Sequence, residues 1–202
     1  MSTDLSTKFC TTREAAERLG VSLRTAQLWC ESGLLEAWKT EGGHRRISLT
    51  SVEKLLAGNR PAASTTKHDM DLLKVLVVED DNVLLKLYKM RMTTWGLPIE
   101  VITASNGYEA LVLIGRETPD LMISDLRMDG IDGFQMLRTM WNSPFKEGME
   151  IVVVSGLDKA EIEARGGLPA GVPIYPKPVP FDLLRGLCES LLERRRQGLS
   201  AS

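Results

Sequence analysis

Histidine is nearly absent from this chain: of its 202 residues, only His44 and His68 carry an imidazole. Cysteine is scarce as well. Cys10, Cys30 and Cys188 are odd in number and far apart, which argues against a disulfide framework. With so few histidines they form no zinc-ligand spacing either, and they read as packing residues. No apolar run approaches the roughly 20 residues that a membrane-spanning helix needs. The start, Met1-Ser2-Thr3-Asp4, has neither the basic region nor the apolar core of a secretion signal. The expectation is a cytoplasmic protein with no membrane insertion.

What the chain does have is the ordinary balance of a globular protein, 43% hydrophobic and 26% charged. Its formal charge of −2 hides an asymmetry. Residues 1–60 hold 9 Lys and Arg against 7 Asp and Glu, while the remainder holds 16 against 20. A slightly basic module joined to an acidic one fits nucleic-acid binding at one end and cation binding at the other.

The acidic part alternates apolar runs with amphipathic segments from Leu72 onward, which predicts βαβ units and a parallel sheet. Lys74-Val75-Leu76-Val77-Val78 runs into Glu79-Asp80-Asp81, and Leu121-Met122-Ile123-Ser124 into Asp125-Leu126-Arg127-Met128-Asp129-Gly130. Ile151-Val152-Val153-Val154 ends in Ser155-Gly156, and Val172-Pro173-Ile174-Tyr175-Pro176 in Lys177-Pro178. In such sheets the carboxyl ends of the strands carry the ligand site, so acids, a hydroxyl and a lysine gather around Asp125. Crowded carboxylates repel one another and are costly to desolvate unless a cation binds. Mg²⁺ suits them because it takes oxygen ligands and keeps waters that a phosphate can replace. Helix capping is the plainer explanation for Glu79 and Asp80, but Asp125 and Lys177 recur at matching strand ends.

This constellation, over roughly residues 72–196, resembles the receiver domain of bacterial two-component response regulators. The resemblance implies a doubly wound five-stranded parallel fold with Asp125 as phosphoacceptor. It implies Mg²⁺ on Asp80, Asp125 and the carbonyl of Arg127, with Glu79 helping through water. Asp125 would attack a phosphodonor while Lys177 offsets phosphoryl charge and Ser155 follows the phosphoryl group; Asp81 reads instead as a helix N-terminal acid. Two positions depart from the family. Asp129 stands where the family often has Pro. The switch aromatic is expected three residues before the lysine, where this chain has Ile174; Tyr175 lies two before, and that change of parity turns its ring to the other face.

Ahead of the receiver, Thr11 or Thr12 can cap a first helix that Gly20 stops. Ser22 caps a second, through Cys30, with Ala26 and Trp29 inward and Arg24, Thr25 and Gln27 outward. Ala37–Thr40 and Arg46–Leu49 read as short strands joined across Gly42-Gly43, and a last helix runs from Lys54 to Ala57 after Thr50-Ser51. Helix-turn-helix plus hairpin is a winged helix. Residues 11–57 resemble the excisionase/MerR-type winged helix-turn-helix, including its Gly-Gly-His-Arg-Arg wing. That resemblance puts Arg24 and Thr25 in a major groove, with Gln27 beside them, and His44, Arg45 and Arg46 on phosphates or an adjacent minor groove.

The expected organisation is therefore a winged helix-turn-helix over 1–58, a flexible tether over 59–71 and a receiver over 72–202. The expected partners are a sensor histidine kinase or phosphotransfer protein, double-stranded DNA and a second copy of the chain. The function implied is a response regulator whose DNA binding, and hence transcription, follows the state of Asp125. A rival is a phosphorelay adaptor or docking protein that uses both modules for protein contacts. An enzyme acting on another substrate is disfavoured, because no separate active site suggests itself.

Overall fold

A computed structural model describes residues 9–40, 42–58, 72–128 and 133–200. The tether 59–71, His68, Asp129 and Gly130 lie outside the described residues. The first module opens with β1 (Phe9–Cys10), then α1 (Thr12–Leu19) and α2 (Leu23–Glu31). A hairpin of β2 (Ala37–Lys39) and β3 (Arg45–Ser48) leads into α3 (Leu49–Gly58). Thr11 makes a full capping box with Glu14, and Gly20 closes α1 in the left-handed conformation. Ser22 caps α2 by accepting from Thr25 N.

Three details differ from the sequence reading. β1, too short to show a period, pairs antiparallel with β3, giving a sheet in the order β1-β3-β2. α3 begins at Leu49 rather than after Thr50-Ser51, because Ser48 supplies the cap, its Oγ accepting from Ser51 N at 3.4 Å. Thr25 points inward, only 2% exposed. It lies four residues before Trp29, so a helix of 3.6 residues per turn puts both on one face.

The second module alternates as expected: β4 (Leu73–Val78), α4 (Asn82–Thr93), β5 (Ile99–Ala104), α5 (Gly107–Glu117) and β6 (Leu121–Ser124). It continues with α6 (Gly133–Trp141), a 3₁₀ turn (Pro144–Lys146), β7 (Glu150–Ser155), α7 (Lys159–Ala164), β8 (Ile174–Pro176) and α8 (Phe181–Ser200). All five strands are parallel, in the order β5-β4-β6-β7-β8. α4 and α8 cover one face through Leu85, Tyr88, Met92, Leu184 and Cys188. α5 and α6 cover the other through Leu111, Ile114, Met136 and Met140. The winding direction reverses between β4 and β6, which makes their carboxyl ends the switch point of the sheet.

The second face is not closed by the receiver alone. The buried cluster beneath α5 and α6 runs on into Ala15, Leu19, Trp29 and Leu35 of the helix-turn-helix. Both modules therefore share one apolar core.

The last helix, Phe181–Ser200, carries a basic run near its end. Arg194 pairs with Glu150 at 3.2 Å, and Arg195 meets the Asp120 carboxylate and the Leu72 carbonyl. This basic end thus anchors α8 to the amino edge of the sheet. Burial pushes the Cys188 thiol up to about 12 and raises those of Cys10 and Cys30, so all three stay protonated and pack as apolar groups. Among the described residues, no helix is long and apolar enough to cross a membrane.

Candidate functional site

At the switch point β4 delivers Glu79 and β6 delivers Asp125, 3% and 6% exposed. Buried carboxylates need donors. Asp125 Oδ1 accepts from Leu126 N at 2.5 Å and Arg127 N at 3.1 Å. Lys177 Nζ, just past β8, donates to Asp125 Oδ2 at 2.6 Å and to Glu79 Oε2 at 2.8 Å. One ammonium thus bridges two buried carboxylates, leaving the cluster a net negative charge. Burial raises the pKa of Glu79, and Lys177 offsets that only in part. Burial would lower the lysine, but its hydrogen bonds to Asp125 and Glu79 outweigh that and raise it.

Asp81 caps α4, accepting from Val83 N at 2.7 Å, as its place in the sequence implied. Ser155 is buried at the end of β7, its Oγ accepting weakly from Leu157 N at 3.4 Å. Its neighbour on the same parity, Val153, packs under α5 and α6, whereas Tyr175 packs with Val152 and Val154 on the α4 and α8 face. Ile174 is 41% exposed. Parity keeps the Tyr175 ring off the side of the sheet that Ser155 follows.

Among the described residues, no three His, Cys, Asp or Glu side chains form a ready metal cage. The donor set nevertheless fits Mg²⁺, a hard cation that is commonly bound through one or two carboxylates plus waters and substrate phosphate. Two buried carboxylates sharing a single positive charge leave room electrostatically for a second cation.

The candidate nucleic-acid residues divide. His44 is exposed at the hairpin tip, where Gly43 takes a φ of 76° and Thr40 N donates to the His44 carbonyl. Arg45 and Arg46 are half-buried beside it, Arg45 lying 3.7 Å from Glu31. On α2, Gln27 is exposed but Thr25 is enclosed, its Oγ1 2.8 Å from Ser22 Oγ. Arg24 is turned onto the receiver, its Nη2 donating to Tyr108 Oη at 2.7 Å and its Nε at 2.9 Å. Tyr108 and the rest of this seam escaped the sequence reading. The one local sign was Gly115 in an otherwise apolar helical face, which leaves space for another helix.

Comparison with known proteins accords with this geometry. Residues 75–186 match the family described as response regulator receiver domain, and residues 9–60 match a helix-turn-helix domain. The transcriptional regulatory protein GlrR of Escherichia coli K12 is 34% identical over 128 residues, covering 59% of this chain and 26% of GlrR. The response regulator MprA of Mycobacterium leprae is 28% identical over 125 residues, covering 61% of this chain and 53% of MprA. The chain thus spans between a quarter and about half the length of these relatives. A response regulator receiver protein from Pseudomonas putida superimposes with a TM-score of 0.51 at 28% identity, covering 59% of this chain and 97% of that one. With Glu79, Asp125 and Lys177 meeting at one switch point, and the match covering more than half its length, this chain belongs to the response regulator receiver family.

Proposed function

We propose that this protein is a DNA-binding response regulator of a two-component phosphorelay. A sensor histidine kinase or phosphotransfer protein would phosphorylate it on Asp125. The observation that carries this reading is the pair of bonds from Lys177 Nζ to Asp125 Oδ2 and Glu79 Oε2. A buried aspartate held by two backbone N–H groups and an ammonium is oriented for attack at the carboxyl edge of the sheet, where ligands of such folds bind.

The Asp125 carboxylate attacks the phosphorus of a phosphohistidine. A P–O bond forms as the P–N bond breaks, and the electron pair leaves with the imidazole nitrogen, which takes up a proton from solvent. Lys177 stays charged throughout and faces the charge on the transferring oxygens. Glu79, Asp80, Asp125 and the Arg127 carbonyl would hold Mg²⁺, which when bound would neutralise phosphoryl charge. Ser155 would donate its hydroxyl to the new aspartyl phosphate. The exposed wing, His44 with Arg45 and Arg46, would meet DNA phosphates, and Arg24 and Gln27 would address base edges. The readout would be a change in domain packing or in self-association.

Two assays test this. With a phosphohistidine donor and Mg²⁺, the wild type gains one phosphoryl group by intact mass, and Asp125→Asn gains none. Uptake by Asp125→Asn would refute the assignment. Selection from a randomised duplex pool, with and without beryllofluoride, returns a shared sequence whose enrichment depends on the mimic. No sequence preference in either state would refute the DNA-reading half and return the adaptor.

A further inference from the structure

The second helix of a helix-turn-helix must lie free to enter a major groove, yet in this chain one side of α2 is taken. Trp29 is wholly buried, and its indole N–H donates to the Leu111 carbonyl on α5 at 2.9 Å. Its ring meets Phe145, beyond α6, edge-on at 4.9 Å. Five residues before Trp29, and so about 140° round the helix, Arg24 donates twice to Tyr108 Oη. The seam closes tightly on Gly115: a Cβ there would come within 2.7 Å of Leu34, just past α2, and 3.3 Å of Trp29. Leu23, Gln27 and Glu31 of α2 are exposed, and Arg24, though bonded to Tyr108, keeps an exposed side chain.

DNA cannot share this arrangement. A major groove is about 12 Å wide and an α-helix with its side chains is about 10–12 Å across. A helix in the groove therefore has phosphate walls on both flanks. One flank of α2 is occupied by α5 through Trp29, Leu111 and the Arg24–Tyr108 bonds, so closing on DNA would drive protein into one phosphate wall.

The same surface reaches the phosphoacceptor. α6 starts at Gly133, where a Cβ would lie 2.5 Å from the Asp125 carbonyl and 2.8 Å from Leu126 Cα. From its far end the chain passes through Ser143, whose Oγ donates to the Met140 carbonyl at 2.8 Å, to Pro144 and Phe145. Pro144 abuts Gly20 in the turn between α1 and α2, and Phe145 abuts Trp29. One short helix therefore touches Asp125's backbone at one end and leads to the helix-turn-helix at the other. Ser155 and Tyr175, on opposite parities, offer no comparable link.

Building on the regulator reading above, we propose that α5 and the end of α6 form an intramolecular dock for α2 that competes with DNA, and that α6 carries the state of Asp125 to it. The closed form is the structure described here. Release frees Arg24 from Tyr108 and exposes the flank of α2, a shift between two packings of one chain.

The test uses the full chain with Tyr108→Phe, Tyr108→Ala and Gly115→Met, none of which touches the phosphoryl site or the wing. The probe is the duplex enriched from a randomised pool. Tyr108→Ala and Gly115→Met should bind it on the order of tenfold tighter than wild type without beryllofluoride. That is the gain when the competent fraction rises from about a tenth to nearly all. Tyr108→Phe, which loses only the hydroxyl, should gain less. Hydrogen exchange supplies the second readout: duplex bound to wild type should protect α2 and deprotect residues 108–115 of α5. Equal binding by all four proteins, with α5 still protected on DNA, overturns the dock and leaves the regulator standing. Failure of every form, the released variants included, to select any sequence overturns both.

Discussion

The Trp29 indole and the Leu111 carbonyl, 82 residues apart in sequence, form a fully buried hydrogen bond at 2.9 Å. A bond of this kind ties the folding of the two modules together, because without the Leu111 carbonyl the indole N–H would be a buried, unpaired donor. Trp29→Phe keeps an aromatic ring against Phe145 but removes the donor and part of the volume. It should cost about 1–3 kcal/mol in urea denaturation. The wild type should unfold in one transition seen alike by probes in both modules. Two separated transitions would show that the shared core does not couple them.

Gly20 and Gly33 make a matched pair for weighing the seam. Both adopt positive φ, 63° and 75°, so either alanine variant carries a left-handed backbone cost of roughly 1–2 kcal/mol. At Gly33 the added methyl meets nothing within 4 Å, whereas at Gly20 it would sit 2.7 Å from Pro144 Cδ. Gly20→Ala should therefore lose measurably more stability than Gly33→Ala, and the excess reports packing across the seam. Equal losses, compared by denaturation midpoint, would mean that Pro144 yields freely.

Arg195 holds α8 to the sheet through Asp120 and the Leu72 carbonyl, and Lys74 N donates to the same carboxylate at 2.8 Å. Arg195→Met removes the cation and leaves a largely buried acid, a change worth about 2 kcal/mol for a charged hydrogen bond. The double variant with Asp120→Asn should recover part of that loss, since the two residues act as a pair. A double-mutant cycle with no coupling would make this arginine a surface residue.

The receiver was legible in the sequence because its signals are local. A strand of Val and Leu ending in Glu79, and another ending in Asp125, announce both the parallel sheet and its functional edge. Thr11, Ser22 and Asp81 announced their caps in the same way. Thr25 is less legible, because a helix so short offers few positions from which to fix its faces; its i, i+4 relation to Trp29 outweighs its polarity and turns it inward. The seam was illegible for a different reason. Trp29, Gly115, Pro144 and Tyr108 each have an ordinary local reading, as core, helix, turn and surface residue. Only their meeting across long sequence separations gives them a joint role, and no period or spacing encodes it.

Lys177 sets how much the buried acids cost. With its pKa raised by burial, Glu79 keeps a proton in the folded chain at pH values where the unfolded chain has lost it. That contribution to stability is complete below the ordinary carboxylate pKa and is lost as the pH rises through the raised one. Lys177→Met removes the group that moderates the shift, so Glu79 rises further and the loss extends over a wider range. In metal-free buffer the variant should lie close to wild type near pH 4, where Glu79 with its raised pKa takes a proton. Its deficit should grow to about 3 kcal/mol toward neutrality, as for a buried pair stripped of one partner. Adding Glu79→Gln should flatten that dependence, because one of the two stranded carboxylates is then gone. A deficit of constant size across the series, measured by urea denaturation at each pH, would mean that the lysine stabilises the site by packing and not by charge.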